Sequence, residues 1–245
     1  MIWLSFDVET TGLDVNNDRV IEVGAILYST GQHRILESAG FLVKTDVPIS
    51  KEVTDITHIH PVALDKFGYE SKAALDNILV MAHLADAIIG HNILRFDKRV
   101  VEAWCIREHR TIDNGPYVEK LHIDTMTDLP QEGKKLSYMA LEAPRPFINP
   151  FPHAAITDSL TVICLADQYD TDLIVKRAKS PTLVVQSHQA RNANDDAKKF
   201  KFRWNPDRKI WWKAIKAIDF EAFQKQGLPF DISVREDLHA EDLFD

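Results

Sequence analysis

The sequence predicts an α/β fold: a mixed five-stranded sheet flanked by helices, followed by a small C-terminal α+β module. Three observations predict it. Strand-like apolar segments dominate residues 1–44, helical and strand-like patterns alternate after them, and charge is divided unevenly along the chain. Between residues 176 and 216, twelve basic residues stand against three acidic ones. That is a local charge of +9 in a chain whose net charge is −8, which leaves −17 on the remainder. An acidic body with a basic appendage points to an anionic partner met by one part of the chain.

The elements follow in order. Residues 2–9 form a first strand, with a turn at Thr10, Thr11 and Gly12; a second strand covers 20–28 and a third lies near 40–44. Ser29, Thr30, Gly31 and Gln32 supply turn chemistry between the second and third, so an antiparallel meander is expected. A helix is expected at 71–82, a buried strand at 87–90, and an amphipathic helix at 96–108 with Val100, Val101 and Trp104 at helical spacing. A short strand at 121–124 and a short helix at 136–141 come next. Pro144, Pro146, Pro150 and Pro152 then exclude regular structure until a helix that starts near His153 and runs to 168. Beyond it, 171–181 reads as a linker, 182–187 as a strand, 194–200 as a capped helix and 209–213 as a strand, together a small βαβ-like unit. The stretch 235–245 is acidic with few apolar residues and is expected to be mobile. The division is therefore 1–170, a linker at 171–181, a basic module at 182–228 and an acidic tail at 229–245.

Composition excludes several classes. The chain is 45% hydrophobic, enough for a substantial core, yet no run approaches the ~18 apolar residues that span a bilayer. The start lacks a basic region and meets acid by Asp7, unlike a signal peptide. Cys105 and Cys164 lie in apolar helical patterns and read as two buried thiols in a reducing compartment. The expected location is the cytoplasm of a bacterium or of a phage-infected cell. No G-x-S-x-G elbow or phosphate-cradling glycine loop is present, which disfavours other hydrolase chemistries.

The chemistry begins at Asp7 and Glu9. Two positions apart in a strand, they project from one face, among the apolar Ile2, Leu4, Phe6 and Val8. Adjacent carboxylates in such a setting repel unless a cation lies between them, and oxygen-only donors suit Mg²⁺ or Mn²⁺ rather than zinc.

The continuation Asp7-Val8-Glu9-Thr10-Thr11-Gly12-Leu13 resembles the first motif of the DEDDh (DnaQ-like) 3′→5′ exonucleases. The second motif is matched by Gly90-His91-Asn92-Ile93-Leu94-Arg95-Phe96-Asp97, with one residue more between Asn92 and Phe96 than the commonest form, as in the exonuclease I branch. The third, His-x4-Asp, is matched by His153 and Asp158. Five residues of helix rotate by about 500°, so these two do not share a helical face, and Pro150 and Pro152 place His153 on the entering loop.

The resemblance implies a ribonuclease H-like fold for the first domain. It implies two Mg²⁺ or Mn²⁺ ions held by Asp7, Glu9, Asp97 and Asp158, with His153 as general base and nucleoside monophosphates released from 3′ ends, DNA in preference to RNA. It also implies substrate contacts from Thr10, Thr11, Gly12, Leu13, Asn92 and Phe96, and from His58, which stands where the family often has a glycine. His91 and Asn92 are expected to close the strand–helix turn, and Asp124 to be a structural polar residue at a strand end.

The C-terminal module resembles a small domain that accompanies some phage and plasmid proteins. Lys198, Lys199, Arg203, Trp204, Lys209 and Trp211 combine aromatic faces with basic side chains, as a single-strand grip requires; alternatively the aromatics form a small core. The expected partners are DNA or RNA 3′ ends, with a protein partner at the acidic tail and a homodimer as further readings. A polymerase-bound proofreading subunit and a non-catalytic binding protein on the same scaffold are the competing functions.

Overall fold

The computed structural model describes residues 1–110, 117–131, 135–189 and 194–239. The chain divides into two compact units, Met1–Ala178 and Lys179–Asp245.

In the first unit, β1 (Ile2–Thr10), β2 (Val20–Ser29) and β3 (Arg34–Leu42) form the antiparallel meander. Then come α1 (Lys51–Thr57), α2 (Pro61–Phe67), α3 (Ser71–Leu84) and β4 (Ala87–Gly90). After them follow α4 (Asp97–Arg107), β5 (Leu121–Asp124), α5 (Thr125–Asp128), α6 (Leu136–Glu142), α7 (Ala155–Ala166) and α8 (Thr171–Lys179). The sheet order is β3-β2-β1-β4-β5, with β4 parallel to β1 and β5 parallel to β4. This is the mixed five-stranded sheet that the sequence led us to expect.

The period of two along β1 explains how the sheet is covered on both faces. Leu4, Phe6 and Val8 enter a core with Leu75, Ile78 and Met81 of α3 and Val100, Val101 and Trp104 of α4. Trp3 points the other way, into a core with Ile26, Ile89, Ile123 and Val162, Ile163 and Leu165 of α7. Asp7 and Glu9 share the face of Trp3, on the side of α7.

Several boundaries differ from the sequence reading. The third strand is Arg34–Leu42, longer and earlier than 40–44; its exposed edge position gave no clear alternation. Helices α1 and α2 were not anticipated, because each is only two turns long and joined by the turn at His58 to His60. The expected linker at 171–181 is helix α8, and its Ile174 is fully buried in the second core. Of the two cysteines, Cys105 is buried but Cys164 is exposed, since α7 turns it away from the sheet.

The second unit contains β6 (Thr182–Ser187), α9 (Asn194–Lys199), β7 (Arg203–Asn205), β8 (Ile210–Lys216), α10 (Ala217–Gln224) and β9 (Ile232–Val234). Its strands form an antiparallel sheet in the order β7-β8-β6-β9, rather than a βαβ unit. The tail is less free than its composition suggested. β9 pairs with β6, and Leu238 is buried against Val184, Ile210 and Trp212; residues 240–245 lie outside the described residues. No described helix is long and apolar enough to cross a membrane.

Candidate active site

The site is assembled where α7 meets the open halves of β1 and β2. Ser5 Oγ donates to the Ser159 carbonyl at 2.8 Å and Ser159 Oγ donates to the Gly24 carbonyl at 2.9 Å, so α7 is pinned across both strands. Gly24 is what permits the approach: a Cβ there would sit 2.1 Å from the carbonyl carbon of Ala155. Helix α7 has no side-chain cap at Ala154. Instead Glu22 Oε2, from β2, accepts the Ala155 N–H at 2.9 Å, satisfying one of the orphan donors of the helix start. Glu22 also faces Glu9 directly across the β1–β2 pair.

Asp158 lies in the first turn of α7. Its Oδ2 accepts the His153 N–H at 3.0 Å and its Oδ1 accepts from the Asn149 side-chain amide at 2.5 Å. His153 precedes the helix, is exposed, and has φ of +64°, a left-handed conformation uncommon for a side chain of this size. A donor atom from each of Glu9, His153 and Asp158 lies within 4.8 Å of the other two. Histidine and aspartate thus converge although they sit on different faces, because one is on the loop and the other on the helix.

Asp97 begins α4 and is almost fully buried. Pairing of β4 with β1 ends at Ser5, leaving the next part of that strand edge open. Asp97 Oδ1 fills it by accepting the Val8 N–H at 3.1 Å, between Asp7 and Glu9. The turn before it is fixed by Asn92, at φ +60°, whose N–H donates to Asp124 Oδ1 at 2.8 Å, and by His91 Nδ1, 2.9 Å from Thr125 Oγ1.

The electrostatics follow from crowding. Burial, then the neighbouring Asp97, Glu9, Asp158 and Glu22 carboxylates, push Asp7 well above the usual carboxylate range. Burial, then Asp158, Glu22 and Asp97, raise Glu9 to about 8. Burial raises Asp97 to about 7 against the opposing pull of the Val8 N–H. Asp158 and Glu22 are raised mainly by burial as well, each offset by the N–H it accepts. Such a cluster holds its anions poorly until cations enter, and its oxygen-rich donor set fits divalent cations that prefer oxygen ligands. Glu22, a fifth carboxylate, belongs to none of the three sequence motifs. The signal available was its register opposite Glu9 in the meander.

The flanking residues occupy varied roles. Thr10 Oγ1 donates to the Gly12 carbonyl at 2.5 Å and Thr11 Oγ1 to Asp18 at 2.7 Å, so both hydroxyls build the loop that leaves Leu13 86% exposed. His58 closes α1 with φ of +59°, a position that glycine occupies without strain. Phe96 packs against the first core.

In the second unit Lys198, Lys199, Arg203 and Lys209 are exposed. Trp211 is not. At 4% exposure it lies in a core with Val185, Phe202 and Phe223, and half-buried Trp204 packs edge-on against it at 5.5 Å. Expected as a stacking surface, Trp211 is interior because its face of β8 is covered by apolar residues from α9 and α10.

Residues 4–165 match the family model described as "Exonuclease" (RNase T). The chain belongs to the RNase T exonuclease family. This is the DnaQ-like family of ribonuclease H-like fold to which the three motifs point, and it makes the protein a nuclease hydrolase. The RNase T family generally uses divalent metal ions.

Relatives include the PolC-type DNA polymerase III of Thermotoga maritima, 33% identical over 118 residues, which are 47% of this chain and 8% of that protein. The PolC-type polymerase of Mycoplasma pneumoniae is 36% identical over 92 residues, 38% of this chain and 6% of that protein. The chain therefore spans less than a tenth of these relatives. Among solved structures, E. coli exonuclease I in complex with a dA16 oligonucleotide superimposes with a TM-score of 0.59 at 18% identity, covering 76% of this chain and 48% of that one. A further exonuclease I structure gives 0.61 at 19% identity, covering 78% of this chain and 49% of that one. At this identity the likeness is one of fold.

Proposed function

We propose that the protein is a metal-dependent 3′→5′ exonuclease that removes nucleoside monophosphates from the 3′ ends of nucleic acid, DNA in preference to RNA. The observation that carries the proposal is the convergence of Asp7, Glu9, Asp97 and Asp158 from three separate elements, with the exposed His153 beside Glu9 and Asp158. In this reading the four carboxylates hold two divalent ions, Mg²⁺ or Mn²⁺. When bound, such ions polarise the scissile phosphate, lower the pKa of water and stabilise the leaving oxygen.

The chain's own residues do the rest. His153 takes the proton of the attacking water from the loop before α7, where its side chain is open to substrate. Asp158 holds the backbone of His153 through its Oδ2, so the base and one ion ligand are set by the same contact. Asp97 fixes Val8, and hence the spacing of Asp7 and Glu9, through its hydrogen bond. The preference for DNA is supported by the names of the relatives, DNA polymerases and an exonuclease bound to a DNA oligonucleotide. The polymerase relatives also favour a second reading, action beside a polymerase, which predicts that activity rises when one is present.

The test is degradation of 5′-end-labelled single-stranded DNA, duplex DNA and RNA in Mg²⁺, Mn²⁺ or EDTA. Shortening of DNA that EDTA abolishes is expected. Inertness toward all three in both metals, with or without a polymerase, removes the proposal.

A further inference from the structure

A cleft of about 340 Å³ meets the acidic site at Glu22 and is also lined by Ile156. Ile156 is the second residue of α7 and Glu22 is the carboxylate that receives the start of that helix. Three aromatic residues, Phe41, Phe67 and Tyr69, also line it. Phe67, the last residue of α2, is 64% exposed and Tyr69 is 50% exposed, with the Tyr69 ring tilted against Phe41 at 4.9 Å.

These rings stand on fixed backbone. Gly68 N–H donates to the Leu64 carbonyl at 2.8 Å and Tyr69 N–H to the Leu42 carbonyl at 2.8 Å, while the Tyr69 carbonyl accepts from Lys44 N–H at 2.9 Å. Residue 69 thereby bridges to Val43 alongside the sheet margin. Gly68 makes the crossing possible, since a Cβ there would lie 2.4 Å from the Leu64 carbonyl oxygen and 2.9 Å from Lys44 N. The backbone that carries the two rings is therefore fixed, while half or more of each residue stays in water. The Lys66 ammonium lies over the Phe67 ring, 5.1 Å from its centroid, so a positive charge accompanies this aromatic surface.

Flat aromatic faces with a cation beside them, continuous with a site that cleaves a phosphodiester, match the chemistry of a nucleic-acid strand, whose bases stack while its phosphates pair. We propose that Phe67 and Tyr69 form a nucleobase-stacking subsite for the single strand whose 3′ end enters the acidic site. The inference rests on the exonuclease reading and adds to it a specific grip within the first unit. The substrate's own base is the occupant, because Glu22, which faces Glu9 across the β1–β2 pair, also lines the cleft, and because the exposed Lys66 beside Phe67 offers a phosphate partner.

The test compares the full-length protein with Phe67→Ala/Tyr69→Ala and with Phe67→Leu/Tyr69→Leu, which keeps apolar bulk but removes the flat rings. Two substrates are used. One is thymidine 5′-(p-nitrophenyl phosphate), which reaches only the acidic site; the other is a 5′-labelled single-stranded DNA with an abasic residue moved stepwise from the 3′ end. Both variants are expected to raise KM on the DNA about tenfold, the scale of one lost base stack, and to cleave the small ester at the wild-type rate. Wild type should be weakened by an abasic residue at one or two positions, and the variants should lose that dependence. Equal KM for wild type and both variants, or an abasic series without position dependence, overturns the subsite and leaves the rings as a protein-docking surface. Should the wild type cleave neither substrate, the exonuclease reading fails separately. Binding of the same oligonucleotides by fluorescence anisotropy in EDTA then decides the subsite, with ring-dependent affinity supporting it and its absence overturning it.

Discussion

The carboxylate of Glu22 accepts the N–H of Ala155 at 2.9 Å, and through this contact strand β2 sets where the helix bearing Asp158 begins. Removing the acceptor by Glu22→Ala should cost about 1 kcal/mol, the usual value of a lost helix cap. It should also lower kcat about tenfold, because His153 and Asp158 leave the helix start together. Glu22→Gln keeps an oxygen acceptor and should restore the melting temperature. Thermal melts beside kcat for the two variants separate the cap from the charge.

Gly24 makes the same approach possible from the strand side. Gly24→Ala places a methyl group 2.1 Å from the Ala155 backbone, where neither chain segment can yield without moving α7. A loss of roughly 3 kcal/mol or more is expected in chemical denaturation, at the upper end of overpacking costs. A loss below 1 kcal/mol would show that α7 is not held as close as this.

The crowded carboxylates tie stability to pH and metal. Burial and mutual repulsion raise Glu9 to about 8 and Asp97 to about 7, so the folded protein binds more protons than the unfolded chain between these values and the ordinary carboxylate range near 4. Their stabilising protons are fully present below that range and are lost as pH rises through 7 and 8. In EDTA the melting temperature should therefore fall from pH 5 to pH 8.5, and less steeply in Glu9→Gln. Mg²⁺ should raise it strongly at pH 8.5 and little at pH 5. Calorimetry across the range checks this, and a Mg²⁺ effect independent of pH would contradict it.

The catalytic assignments predict distinct losses. Asp7→Ala should reduce kcat by roughly a hundred- to a thousandfold, on the scale of a removed electrostatic stabiliser. His153→Ala should cost roughly a hundred- to ten-thousandfold, the range for a general base, and should leave Mg²⁺-dependent stabilisation in place. Retention of full activity by His153→Ala would assign proton transfer to another group.

How much of this was legible in the sequence depended on the physics of each element. Asp7, Glu9, Asp97, His153 and Asp158 stand out through three short motifs that resemble those of the DnaQ-like exonucleases, each local in sequence. Glu22 does not, since its importance comes from a register across β2 and a helix start far along the chain. The third strand was misplaced because an exposed edge imposes no alternation. Helix α8 was read as a linker because its burial rests chiefly on Ile174, a single anchor in a charged segment. Trp211 looks like a stacking surface in the sequence because composition alone does not tell which face of a short strand is covered.

The position of α8 also changes where the chain can be cut. A truncation after Asp172 removes Ile174 from the second core, whereas one after Ala178 follows the boundary between the two units. The longer fragment should fold and cleave short oligonucleotides, and the shorter one should melt lower or aggregate. Weaker binding of long DNA by the longer fragment would assign a grip to the basic module.

The direction of cleavage and its dependence on Asp7 are read from one single-stranded DNA labelled at either end, in Mg²⁺, with wild type and Asp7→Ala side by side. A 3′→5′ exonuclease shortens the 5′-labelled strand stepwise and releases a labelled nucleoside monophosphate at once from the 3′-labelled strand, and Asp7→Ala does neither. Release of the 5′ label first, or equal activity in Asp7→Ala, would contradict the proposed function.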